Sequence, residues 1–282
     1  MRAPTAALPP LLRACHPGPT VAVTVVAAAL SWGAGSPSRD IALLALAVLS
    51  GQLVIGWAND ARDADLDVHA GRTDKPVATG ELTTGQVRRA AWAAAAVCVP
   101  LSAALGVAAG TVHLLGVVGS GLAYDLALKP TRWSWLPFAV AFGLLPAVAT
   151  LASPAAVWPP AWACLAGACL GVAAHLVNAL PDLAQDEAHG VRGLPHRLGP
   201  AATRLATAGA LVLATAALVI GPAGGADAVS STGWLLLAGS LVVTGAALLP
   251  RWGRAARTPF VLVAALAVVD VAVMVGRGTS LT

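Results

Sequence analysis

Long uninterrupted apolar runs, each about 17–25 residues, alternate along this chain with short charged connections. That length is what a helix needs to cross the hydrocarbon core of a bilayer. Unpaired backbone amides are costly in lipid, so such runs must become helices or closed barrel strands. Barrel strands alternate apolar and polar residues over about ten positions, and these runs are apolar all round. Only 11% of the residues are charged, against roughly a quarter in a soluble domain, and the mean hydropathy is +0.77. The expected class is an all-α, polytopic membrane protein.

The pattern predicts about nine transmembrane helices around a central cavity. Their approximate ranges are 17–34, 40–58, 87–109, 111–128, 134–152, 160–181, 201–221, 233–249 and 258–276. No cleaved leader is expected, because the first run leads into further spans and Pro9 and Pro10 precede Arg13 without a small-residue cleavage pattern. With nine spans and an inside N-terminus, only Arg39 and Arg277 of the 17 basic residues fall outside. The positive-inside rule then makes that side cytoplasmic. A formal net charge of +4 suits lipid headgroups and an anionic substrate. No interleaved basic and aromatic patch points to nucleic acid.

Cys15, Cys98, Cys164 and Cys169 lie in or near spans without metal-ligand spacing, so they read as buried thiols with no disulfide. The bias toward Arg and Ala points to a GC-rich genome, and the expected location is a bacterial cell membrane.

The polar residues carry the chemistry. The second predicted span runs into GWANDARDADLDVHAGRTDKP, and the sixth into VNALPDLAQDEAHGVRGLP. Asn59, Asp63, Asp67 and Gly71 in the first match Asn178, Asp182, Asp186 and Gly190 in the second. Arg72 and Arg192 follow. The shared offset predicts an internal duplication, a common way to build membrane proteins, within one domain (1–282) whose halves are about 17–130 and 134–276. Both motifs end even-numbered spans, so both face the cytoplasm. Residues four apart stack on one helix face, so each motif offers an amide and two carboxylates in a stripe. Like charges in a row need a cation. Magnesium prefers oxygen ligands and commonly bridges one or two carboxylates to substrate phosphates.

The first motif resembles the N-D-x-x-D-x-x-x-D signature of the UbiA superfamily of intramembrane prenyltransferases, matched by Asn59, Asp60, Asp63 and Asp67. Asp182, Asp186 and Gly190 resemble its second signature. RTDKPVATGELT is similar to the segment after the first motif, AYDLALKP to the Tyr-x-x-x-x-Lys at the end of span four, and LLRACHPGPT to the basic stretch before span one. The resemblance implies catalytic roles for Asp63, Asp67, Asp182 and Asp186. It implies magnesium (Mg2+) at these residues together with Asn59, Asp60 and Asn178, Asp60 lying about 100° around the helix from Asn59. It further implies diphosphate contacts from Arg13, Arg72, Lys75, Tyr124, Lys129 and Arg192. Lys75 stands where the family usually has Arg, a point charge in place of a bidentate fork. Pro130 follows Lys129 where many relatives carry a second basic residue.

Gln52 and His175 each lie seven residues before a motif position, so both are expected to face the cavity as acceptor-binding residues or interhelical bonds. Asp270, deep in a span, is expected to bond another helix. Asp125 has the helical spacing to pair with Lys129, and Asp65 reads as solvated. His69, His189 and His196 flank the motifs. Trp32, Trp57, Trp133, Trp158 and Trp234 read as membrane-boundary anchors.

The reaction expected is prenyl transfer from an allylic polyprenyl diphosphate to an aromatic or quinone-precursor acceptor, with membrane lipid as the surrounding partner. Cyclisation, a sugar-phosphate acceptor and a transporter are the competing expectations.

Overall fold

The computed structural model describes residues 8–181, 183, 192–248 and 258–282. Among these the fold is all helix, without a strand. Ten helices are counted: α1 (Pro10–Ala14), α2 (Pro17–Gly33), α3 (Ser38–His69), α4 (Thr84–Ala104), α5 (Val107–Leu128), α6 (Leu136–Leu151), α7 (Ala161–Ala179), α8 (Leu194–Ile220), α9 (Ser231–Leu248) and α10 (Thr258–Gly276). Five of them, α3, α5, α7, α8 and α9, are long and apolar enough to cross a membrane. The apolar helices α2, α6 and Ala264–Gly276 within α10 are shorter, and Ala-rich α4 is not among the five. Among the described residues, helix length and hydropathy thus support five spans, fewer than the nine expected.

α3 shows why expected and observed ends differ. Its 32 residues measure about 48 Å at 1.5 Å per residue, against a hydrocarbon core of about 30 Å. The helix does not stop at residue 58, where the apolar run ends. It continues through the acidic motif, so Asn59 to Asp67 stand on a rigid projecting rod. Its end is set at Gly71, whose φ of 63° is the left-handed conformation that glycine adopts without penalty. Gly71 N–H donates to the Val68 carbonyl and Arg72 N–H to the Asp67 carbonyl. The glycine four residues after Asp67 is thus a helix stop.

Consecutive helices pack as neighbours: α2 on α3, α3 on α4, α6 on α7, α7 on α8, and α8 on α9. α10 packs against both α8 and α2, which returns the end of the chain to its beginning. The crossing of α6 and α7 uses small residues, as lipid-embedded helices do where backbones must approach. Methyl groups at Gly167 and Gly171 would collide with the carbonyls of Phe142 and Phe138. The main core, around Leu30, Leu44, Val48, Val148 and Leu218, lies among α2, α3, α6 and α8.

Two polar expectations resolve here. Asp270 is buried and accepts a hydrogen bond from Thr215 Oγ1 at 2.9 Å, joining α10 to α8. Trp57 is not an exposed anchor. It is 8% exposed and its indole N–H donates to the Leu11 carbonyl at 2.9 Å, tying α1 to α3. Trp32, Trp133, Trp158 and Trp234 are exposed, as expected of anchors.

Candidate active site

The projecting end of α3 meets the start of α2, the loop after α3 and the end of α5. Asn59, Asp63 and Asp67 are partly exposed along one stripe, whereas Asp60, one residue round the helix, is 1% exposed. Asn59 Nδ2 donates to Asp125 Oδ1 at 2.9 Å, and Asn59 Oδ1 lies 3.2 Å from His16 Nε2. The Lys75 ammonium donates to Asp60 Oδ1 and, at 3.0 Å, to His16 Nε2. Lys129 donates to Asp63 Oδ2 in an ion pair. Both lysines expected on a diphosphate are therefore seated on carboxylates of the first motif.

The expected Asp125–Lys129 pair does not form. The backbone from Tyr124 to Leu128 is π-helical, with Lys129 N–H donating to the Tyr124 carbonyl five residues back. The wider turn breaks the i, i+4 alignment on which that pairing rested. Asp125 turns to Asn59, and Lys129 is left to reach Asp63. Asp60 likewise has different surroundings from Asp63 and Asp67: it is buried beneath Lys75 and His16 rather than aligned with the stripe. Its Oδ2, like Asp125 Oδ2, is buried without a hydrogen-bond partner.

The remaining cations sit at the rim. Arg13 pairs with Glu81. Arg72 grips Asp74 through Nε and Nη2, both at 2.9 Å. This fork holds the Asp74 carboxyl down at about 2, because hydrogen bonds to the charged form favour it. Arg192 is exposed. Asp65 is exposed, and its carbonyl lies 2.6 Å from His69 Nδ1. Asp182, Asp186, His189 and Gly190 lie outside the described residues, whereas Asn178 is described and exposed near the end of α7.

Two cavities adjoin this end of the bundle. One, about 100 Å³, is bounded by Gln52, Ile55, Tyr124, Phe138 and Phe142. The other, about 290 Å³, runs between α2, α6, α7, α8 and α10 and has Asn178 on its wall. Phe142 and Leu145 line both. Gln52 thus faces a cavity, as expected. His175 lines neither; it is buried behind Tyr124 and Phe138, with ring centroids 5.7 and 4.8 Å away. Seven-residue spacing predicts a cavity-facing His175, but the rings of Tyr124 from α5 and Phe138 from α6 stand against it. The role of His16 could not be read from spacing, since its partners are 43 and 59 residues away. Its signal was only its place beside Pro17 at the start of a span.

The sequence model of the UbiA prenyltransferase family matches residues 20–272. The chain belongs to the UbiA prenyltransferase family. No curated protein matches its sequence. Among solved structures, it is similar to the apo form of a UbiA homologue from Aeropyrum pernix K1, with 21% identity over 93% of this chain and 96% of that one and a TM-score of 0.71. A UbiA homologue from Archaeoglobus fulgidus bound to GPP and Mg2+ has 17% identity over 94% and 98%, with a TM-score of 0.69. A digeranylgeranylglyceryl phosphate synthase has 13% identity over 96% and 98%, also with a TM-score of 0.69. The fold is thus the UbiA-family prenyltransferase fold over nearly the whole chain.

Within this family setting, the donor set of α3 can be tested against a magnesium ion. Among the described residues, no group of three or more His, Cys, Asp and Glu side chains gathers into a metal site. The stripe itself offers only amide and carboxylate oxygens, the ligands a hard cation prefers. The Lys129 ammonium on Asp63 is a cation already accepted by that stripe. In donor chemistry, the stripe suits the ion.

Proposed function

We propose that this chain transfers a prenyl group from an allylic polyprenyl diphosphate to an aromatic or quinone-precursor acceptor within the membrane. The observation carrying this reading is the stripe of Asn59, Asp63 and Asp67, flanked by Lys75 and Lys129, beside an apolar cavity walled by Tyr124 and Gln52. A charged head and a hydrocarbon tail need such a pairing of environments. In the proposed arrangement the whole chain is one domain of two related halves with nine crossings. Its N-terminus and both acidic motifs are cytoplasmic.

Asp63, Asp67, Asp182 and Asp186, with Asn59 and Asn178, would hold the magnesium ions, which supply Lewis-acid stabilisation of the departing diphosphate. Lys129 exchanges its carboxylate partner for phosphate oxygens as the substrate arrives, and Lys75, kept on Asp60, turns a remaining N–H to them. Arg13, Arg72 and Arg192 supply further positive charge at the rim. The apolar walls orient the tail and keep water from the allylic carbon once its C–O bond weakens. Gln52 contacts the acceptor. Asp60 does not bind metal in this scheme; it aims Lys75.

The test is a mass-spectrometric product screen of purified protein with GPP, Mg2+ and a panel of aromatic acids. A prenylated aromatic supports the reading. A hydrocarbon or alcohol formed without acceptor would replace it with cyclisation, and no consumption of any allylic diphosphate would sink it.

A further inference from the structure

His175 and Ser134 form a buried polar pair that the reaction scheme above leaves without a task. Ser134, in the connection between α5 and α6, is 0% exposed, and His175 on α7 is 4% exposed. Ser134 Oγ lies 3.0 Å from His175 Nε2 and accepts the backbone N–H of Leu194 at 2.9 Å. Leu194 opens α8, directly after the stretch that carries the second acidic motif. Its neighbour Gly193 packs so closely that a Cβ there would stand 2.8 Å from the Lys129 carbonyl and 3.0 Å from Ser134 Oγ.

Counting protons assigns the bond. The Ser134 hydroxyl is fully buried, so its proton needs an acceptor, and among the described residues the one within hydrogen-bond distance is His175 Nε2. The hydroxyl therefore donates to the ring, and a neutral imidazole that accepts at Nε2 carries its proton on Nδ1. A lone pair committed in this way is not available to take a proton from an acceptor. The ring is also separated from the first cavity by Tyr124 and Phe138, which line it.

We propose that Ser134 and His175 are positioning residues that clasp both ends of the second-motif stretch to the first half of the molecule. His175 anchors α7 before the motif and Leu194 anchors α8 after it. Ser134 joins both, and it follows closely in the chain on Lys129, the cation seated on Asp63. Pro130 and the turn after it carry the chain from Lys129 to Ser134, so Lys129 and the anchors on α7 and α8 share one mechanical reference point. This inference rests on the prenyl-diphosphate reading for its consequence, but the hydrogen-bond assignment stands without it.

The tautomer is measured by nitrogen NMR on protein labelled with ¹⁵N-histidine, without ligand, and His175→Gln identifies the signal. The expected spectrum has an unprotonated Nε2 and a protonated Nδ1, lost in Ser134→Ala. A His175 spectrum unchanged in Ser134→Ala would overturn the clasp, and a protonated Nε2 in the wild-type chain would overturn the direction assigned to its bond. The second measurement is calorimetric binding of GPP in the presence of Mg2+. Ser134→Ala is expected to weaken GPP about tenfold, the equivalent of about 1.4 kcal/mol. His175→Phe, which keeps a ring against Tyr124 and Phe138 but removes the acceptor, is expected to do the same. The double variant should lose no more than either single one, because the two residues act as a unit. A lowered melting temperature with GPP affinity within about twofold of wild type would reduce the pair to a structural bond and overturn the positioning role. Failure of the wild-type chain to bind GPP would instead overturn the prenyl-diphosphate reading, and the tautomer then judges the clasp on its own.

Discussion

Lys129, just beyond the end of α5, reaches the Asp63 carboxylate in the middle of the α3 stripe, 66 residues earlier in the chain. The contact joins the segment after α5 to α3 and leaves a cation lying on the carboxylate midway along the stripe. In the proposed reaction an arriving diphosphate would offer that ammonium phosphate oxygens in place of the Asp63 oxygen. Lys129→Gln is expected to weaken GPP binding about tenfold at saturating Mg2+, roughly 1.4 kcal/mol. Isothermal calorimetry checks it, and unchanged affinity would show that Lys129 stays on Asp63 throughout.

Asp60 should behave as a stability residue. It is almost fully buried against Lys75, whose side chain is 13% exposed. Removing one partner of such a pair leaves the other charge uncompensated and costs roughly 3–5 kcal/mol. Asp60→Ala is therefore expected to lower the melting temperature in detergent. A double change, Asp60→Leu with Lys75→Met, should recover most of the loss. If Asp60→Ala melts like wild type, the pair is solvated and the proposed aiming of Lys75 fails.

Asp63→Ala should lower the melting temperature less than Asp60→Ala, since the Asp63 side chain is 14% exposed and that of Asp60 only 1%. Turnover should fall on the order of 10²–10³-fold, the scale for losing one preorganised electrostatic contact. Asp182→Ala is expected to match it, and EDTA should stop the wild-type reaction. Full turnover in metal-free buffer would refute the magnesium assignment.

The Arg72–Asp74 fork predicts how the loop after α3 responds to acid. The folded carboxyl titrates at about 2, below its ordinary value of 3.8. A depressed pKa contributes stability that is fully present above the unfolded value and is lost as the pH falls through the folded one. Protection of this loop from an acid-active protease should be constant down to about pH 4 and decline between there and about pH 2. Arg72→Gln should abolish that dependence. Asp74 is well exposed, so the effect is local and does not move the global melting temperature.

Much of this molecule was legible before any fold was known, and the legible parts share a cause. Apolar runs long enough to span lipid and the i, i+4 stripe of Asn59, Asp63 and Asp67 both depend on residues within a few turns of each other. Helical geometry converts such spacing into a shape without reference to anything distant. Even there the boundary between apolar and polar residues does not mark the helix end, because a membrane stops favouring apolar side chains where the helix itself can continue.

The sequence by itself determined the helical membrane class, the oxygen-rich stripe and the family resemblance. Only the tertiary structure decided that Lys129 serves Asp63 rather than Asp125, that Lys75 and His16 converge on Asp60, and that His175 stands behind Tyr124 and Phe138. The physical reason is reach. A flexible lysine or a buried imidazole takes the partner that helix packing brings within about 3 Å, and packing between residues dozens of positions apart leaves no periodic trace along the chain.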